Sequence, residues 1–76
     1  MKDLDLHGIF HHEVNLEVEN FVLLNSNNLP LRIITGKSDY MRNIVIEILT
    51  RHSFEFHIPA HNAGEIIVTS DKEIFL

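Results

Sequence analysis

The spacing of apolar residues switches between two periods along this chain, and the order of the switches leaves few folds open to it. Asp3-Leu4-Asp5-Leu6 alternates polar and apolar, the period of a half-buried strand, and His7-Gly8 breaks it. Residues 11–25 carry helical spacing instead. Val14, Val18, Phe21 and Val22 fall on one broad face, with Leu24 placed beside them, and Glu13, Glu17 and Asn20 fall opposite. Asn25-Ser26-Asn27-Asn28 ends this helix, since short polar side chains compete for the backbone hydrogen bonds. After Pro30, residues 31–35 form a second short strand.

Ser38 or Asp39 is the N-cap of a second helix. In it Met41, Ile44, Val45, Ile48 and Leu49 follow the i, i+3, i+4, i+7, i+8 pattern, and His52 continues the same face. Arg51 in the last turn suits the negative end of the helix dipole. Phe54-Glu55-Phe56-His57-Ile58 alternates again until Pro59 stops it. Asn62-Ala63-Gly64 makes a turn, and Glu65-Ile66-Ile67-Val68-Thr69 is a fourth strand. Residues 71–76 either extend that strand or pair separately. The order β-α-β-α-β-β predicts a two-layer α/β sandwich of the α+β kind, with a mixed four-stranded sheet. Right-handed crossovers put both helices on one face of it. Leu4, Leu6, Phe54, Phe56 and Ile58 are expected to face the helices, leaving Asp3, Asp5, Glu55 and His57 on the other side.

At 76 residues the chain reads as one domain spanning residues 1–76, with no repeat and no linker. A fold of this size buries only about 60% of its unfolded surface, so stability is marginal. Cysteine is absent, so the apolar 45% must supply the core without disulfides or thiolate metal sites. No apolar run reaches the roughly 18 residues of a spanning helix. Nor does the N-terminus carry a signal-peptide stretch. The expectation is a soluble, cytoplasmic protein with no membrane partner. The formal net charge of −5 repels phosphates at long range, so contact with nucleic acid must come from a local basic patch. Six histidines soften that repulsion as pH falls.

Chemistry-bearing residues cluster where the first two strands end. In an open sheet with parallel strands, ligands bind at the carboxyl edge. Asp5 and His7, two residues apart on a strand, project to the same face. A carboxylate beside an imidazole orients it and raises its basicity, giving a general base, or the pair helps hold a divalent metal. Thr35-Gly36-Lys37-Ser38 turns a strand into a helix. Its glycine permits close backbone approach, helix-start amides favour an anion, Lys37 adds a point charge, and the Thr35 and Ser38 hydroxyls are donors. The motif is not a P-loop, because Leu31 stands where the first glycine of G-x-x-x-x-G-K-[ST] belongs. Arg42, one turn into the helix, is placed to clamp a phosphate from the same edge. His7, His11 and His12 make a dense group. Adjacent helical residues diverge, however, and a cysteine-free structural zinc site is not expected. Arg32 and Arg51 read as surface charges, and His52, His57 and His61 as structural or solvent-facing.

On Leu4-Asp5-Leu6-His7-Gly8, Glu13-Val14, Ile33-Ile34-Thr35-Gly36-Lys37, Met41-Arg42, Val45 and Gly64-Glu65-Ile66-Ile67-Val68-Thr69, the chain resembles the Smr (small MutS-related) domain over residues 3–70. The resemblance implies a fold like the C-terminal domain of translation initiation factor 3, with strand order 1-2-4-3 and the fourth strand antiparallel. It also implies nicking or endonuclease activity on DNA or RNA. The family's Leu-Asp-x-His element maps onto Leu4-Asp5-Leu6-His7, and its (Thr/His)-Gly-x-Gly loop onto Thr35-Gly36-Lys37-Ser38. The arginine following that loop maps onto Arg42. Ser38 stands where the family places its second glycine, and the segment up to Arg42 is shorter than usual.

The expectation is therefore a small endonuclease with Asp5 and His7 as its catalytic pair. Thr35, Gly36, Lys37, Ser38 and Arg42 would bind phosphate, and Gly8 and His11 are additional candidates. RNA is favoured, because its 2′-hydroxyl is an internal nucleophile that needs no metal. With DNA, a divalent ion such as Mg or Mn held partly by Asp5 would activate water. Two alternatives stand beside this. One is a non-catalytic nucleic-acid-binding module; the other is a homodimer that buries its open sheet face.

Overall fold

A computed structural model describes residues 1–71. The tail expectation for residues 72–76 lies outside the described residues. The chain forms strand β1 (Lys2–Asp5), helix α1 (His11–Leu24), a single 3-10 turn (Ser26–Asn28), strand β2 (Leu31–Ile34), helix α2 (Asp39–Arg51), strand β3 (Phe54–His57) and strand β4 (Glu65–Asp71). The sheet order is β1-β2-β4-β3. β1 pairs parallel with β2, and β4 runs antiparallel to both its neighbours. The order and the reversed fourth strand are those the resemblance implies.

Register divides the sheet into two faces. Leu4, Ile33 and Ile66 lie in one row, and Leu31, Val68 and Phe56 in another. All six join one cluster with Val14, Val18 and Val22 of α1 and Met41, Val45, Ile48 and Leu49 of α2. Residues of one sheet face thus share a core with both helices, which makes a two-layer sandwich. Burial of such side chains is the main favourable term in a domain this small.

Two apolar expectations fail for geometric reasons. Leu24 is 80% exposed. Two residues past Val22 is about 200° around a helix, so the stripe that reaches the core is Val14, Val18 and Val22. Ile58 is 38% exposed. β3 ends at His57 after a register shift between Glu55 and Phe56, so alternation no longer dictates where residue 58 points.

The helix ends follow capping chemistry. Ser38 is the N-cap of α2, its Oγ accepting from the Met41 N–H at 3.1 Å. At the other end His52 is the C-cap, and Ser53, with φ 62°, turns the chain out through the left-handed region. His52 Nε2 and Arg51 Nη2 both reach Glu19 Oε2 of α1, at 2.9 and 3.3 Å, fastening the two helices together. These contacts hold the Glu19 carboxyl below its ordinary range, the His52 hydrogen bond first.

The uncovered sheet face carries the rows Asp3, Arg32, Ile67, His57 and Asp5, Ile34, Glu65. Arg32 is more than a surface charge there. It forks onto Asp3, Nε to Oδ1 at 3.1 Å and Nη2 to Oδ2 at 2.8 Å, with Glu65 Oε2 3.7 Å from Nη1. The fork lowers the Asp3 pKa and raises that of Arg32.

Candidate functional site

Parallel pairing of β1 and β2 ends the two strands together. Asp5 lies opposite Ile34, and the Leu6 N–H donates to the Ile34 carbonyl at 3.0 Å. Neighbouring strands lie about 4.8 Å apart, so the turn after β1 and the turn after β2 leave the sheet side by side. β4 runs the other way, and its first residue, Glu65, pairs with Ile34. One rim is therefore built from three distant segments: residues 6–11, residues 35–42, and the turn ending at Gly64.

In the first segment the structure corrects the expected pairing of carboxylate and imidazole. β1 stops at Asp5, so His7 is no longer a strand residue sharing its face. Asp5 Oδ1 accepts from the backbone N–H of His7 at 2.9 Å. A short carboxylate satisfies the nearest free amide before it reaches a ring. The turn continues through Gly8, whose φ of +83° suits glycine, to an Ile9 N–H bond with the Leu6 carbonyl at 3.1 Å. Asp5 thus shapes the bend that presents the exposed His7 ring. Its Oδ2 makes no hydrogen bond or ion pair among the described residues.

The second segment is held by the third. The Gly64 carbonyl accepts from the N–H groups of Thr35 (2.8 Å) and Gly36 (3.1 Å) and from Thr35 Oγ1 (3.3 Å). Thr35 is buried, and its hydroxyl also lies 3.1 Å from the Gly36 carbonyl. Thr35 and the Gly36 amide, expected to face a ligand, instead fix the turn. The cause is proximity: the backbones run so close that a Cβ on Gly64 would stand 3.3 Å from Gly36 Cα. Gly36 itself has φ +69°.

What the turn presents outward begins at Lys37. Lys37 is exposed and makes no ion pair among the described residues. Behind it, the amides of Asp39 and Tyr40 open α2 with no intrahelical acceptor, which leaves them available to an anion. The Ser38 oxygen is occupied as the cap acceptor, which leaves its O–H able to donate. Arg42 does not stand free as expected. Its Nη1 is bound to Asp39 Oδ1 at 2.8 Å, because a carboxylate three residues back on a helix is the nearest anion. Its Nε is buried without a hydrogen-bond partner among the described residues.

Two ring contacts were not legible from motif spacing. His11 opens α1 and Tyr40 lies in the first turn of α2; their rings meet with centroids 4.6 Å apart and tilted 47°. Phe10 stacks on His12 at 5.7 Å, with planes 12° apart. The signal for Tyr40 was its place outside the stripe of Met41, Val45, Ile48 and Leu49. Among the described residues, no three histidine, aspartate or glutamate side chains gather as a metal-binding group. No helix among them is long and apolar enough to cross a membrane. Neither a protein-family model, nor a curated protein, nor a solved structure matches this chain.

Proposed function

We propose that the chain is a small Smr-like endonuclease that cleaves RNA at this rim. The observation that supports it most is the parallel β1–β2 register, which sets the His7 bend beside the Lys37 bend at one sheet edge. On this reading the exposed His7 imidazole works beside the Lys37 ammonium and the N-terminus of α2.

The chemistry follows from what each group can hold. A phosphate seated on Lys37 and the first amides of α2 has its non-bridging oxygens stabilised as charge develops on them. His7 takes the proton of the neighbouring 2′-hydroxyl. The 2′-oxygen then attacks phosphorus, forming a cyclic phosphate, and the bond to the 5′-oxygen breaks. His11, in the segment that follows the His7 bend, supplies the proton that the leaving oxygen needs. Asp5 acts through the backbone, by fixing the bend, so it is a positioning residue. Thr35 and Gly36 position Lys37 through Gly64, and Arg42 with Asp39 braces the start of α2.

The test is incubation of purified protein with end-labelled single- and double-stranded RNA and DNA, with and without a chelator. RNA cleavage that survives chelation and leaves cyclic phosphate ends is expected. His7→Ala should lower its rate about 10²–10⁴-fold, the range for a lost general base. Asp5→Asn keeps an oxygen for the His7 amide and should lose less than Asp5→Ala. Absence of cleavage, or cleavage unchanged in an Asp5→Ala/His7→Ala double variant, overturns the reading. Binding without cleavage would identify a phosphate-binding module instead.

A further inference from the structure

We infer that the rings at the two helix starts form a stacking platform for unpaired nucleobases, so that the rim takes single-stranded nucleic acid in preference to duplex. The inference rests on the nucleic-acid reading of the rim and specifies its substrate.

The rings are large and open to water. Phe10 is 68% exposed and Tyr40 60% exposed, although aromatic side chains ordinarily bury much of their surface. Neither belongs to the core cluster. Each is steadied by one ring contact, Phe10 on His12 and Tyr40 against His11, and keeps most of its surface free. Phe10 immediately precedes α1, and Tyr40 follows Lys37 by three residues, within the same loop and first turn. A phosphate held at Lys37 would carry its attached base toward Tyr40.

Stacking on an exposed ring needs a base with a free face. In a duplex those faces are covered by neighbouring pairs, whereas single strands splay them. The net acidity of the whole chain points the same way. With a net charge of −5, backbone attraction alone is weak, so stacking, which does not depend on charge, must supply much of the affinity.

The test measures binding with His7→Ala as the background, so that substrate is not consumed. Fluorescence anisotropy would be read at several salt concentrations. The probes are single-stranded RNA, the same length of duplex, and a single strand of equal phosphate count with abasic sites. Tyr40→Ala should weaken single-strand binding about tenfold, the order of one lost base–ring stack. The abasic strand should lose at least as much, and Tyr40→Ala should weaken it no further. Duplex binding should be unchanged, and Tyr40→Trp should restore affinity. The salt slope should be unaltered by Tyr40→Ala but reduced by about 0.7 in Lys37→Ala, the share of one phosphate contact. Unchanged single-strand binding in Tyr40→Ala, or an equal loss on duplex, overturns the platform while leaving the cleavage reading standing. If none of the probes binds, both fall together.

Discussion

Replacing Gly64 by alanine tests how firmly the turn behind Lys37 is held. The Gly64 carbonyl receives three donors, two amides and the Thr35 hydroxyl, at 2.8, 3.1 and 3.3 Å. A Cβ would stand 3.3 Å from both Gly36 Cα and Gly36 C, and 3.2 Å from Asn62 Oδ1. Backbone that is itself pinned gives poorly, so the two loops must part by a few tenths of an ångström. That stretches bonds whose net worth is about 0.5–1.5 kcal/mol each. Overpacking of this kind costs about 1–3 kcal/mol. Against it stands the reduced freedom of the unfolded chain, about 0.4–1 kcal/mol in favour of alanine. The expected outcome is a net loss of about 1–2 kcal/mol, a fall of roughly 5–15 °C in melting temperature for a domain this size. Urea denaturation should show a lower midpoint with an unchanged slope. Hydrogen exchange at the Thr35 and Gly36 amides should quicken more than at Val45 in the core. An alanine variant as stable as the parent, with those two amides still protected, would refute the clamp.

Other expectations concern the far end of the molecule. Ser53 holds φ 62°, a conformation that costs an L-residue about 1–2 kcal/mol; allowing for glycine's greater unfolded freedom, Ser53→Gly should stabilise by about 0.5–1 kcal/mol in thermal or urea melts. A loss of stability there would show that the serine side chain contributes more than its strain. The Glu19 carboxyl is depressed below its ordinary value of 4.5, chiefly by the His52 hydrogen bond and then by Arg51. A depressed acid stabilises the fold above its unfolded pKa, and that contribution is lost as pH falls through the folded value. Glu19→Gln should therefore melt below the parent near neutrality, and the gap should close in acid; a gap that stays constant with pH would rule out the ion contact as its source.

The fold was legible because its two periods do not overlap. Val14, Val18 and Val22, and Met41, Val45, Ile48 and Leu49, announce which helix faces are inside. Pairing polarity follows from connection length, and even Ser38 could be read as a cap from its place before an apolar stripe. The site was less legible, since sequence fixes which groups are near one another but not which of them are already engaged. Thr35, Asp5 and Arg42 each find a partner within the protein: the Gly64 carbonyl, the His7 amide and the Asp39 carboxylate. Two of those partners are short-range and could have been anticipated from Asx-turn and i, i+3 geometry. The Gly64 contact spans 29 residues and depends on β4 lying beside β2, a neighbour that local pattern does not reveal.

β4 occupies an interior place in the sheet although it is the last strand of the described chain, with β2 on one side and β3 on the other. While residues 65–71 are still elsewhere, β2 and β3 have no bridge between them, and each shows a bare backbone edge open to mispairing. Insertion of that one segment closes the sheet, completes the apolar layer through Ile66 and Val68, and delivers Gly64 to the bend that carries Lys37. The strand that completes the sheet is thus also the one that fastens the Lys37 bend from behind.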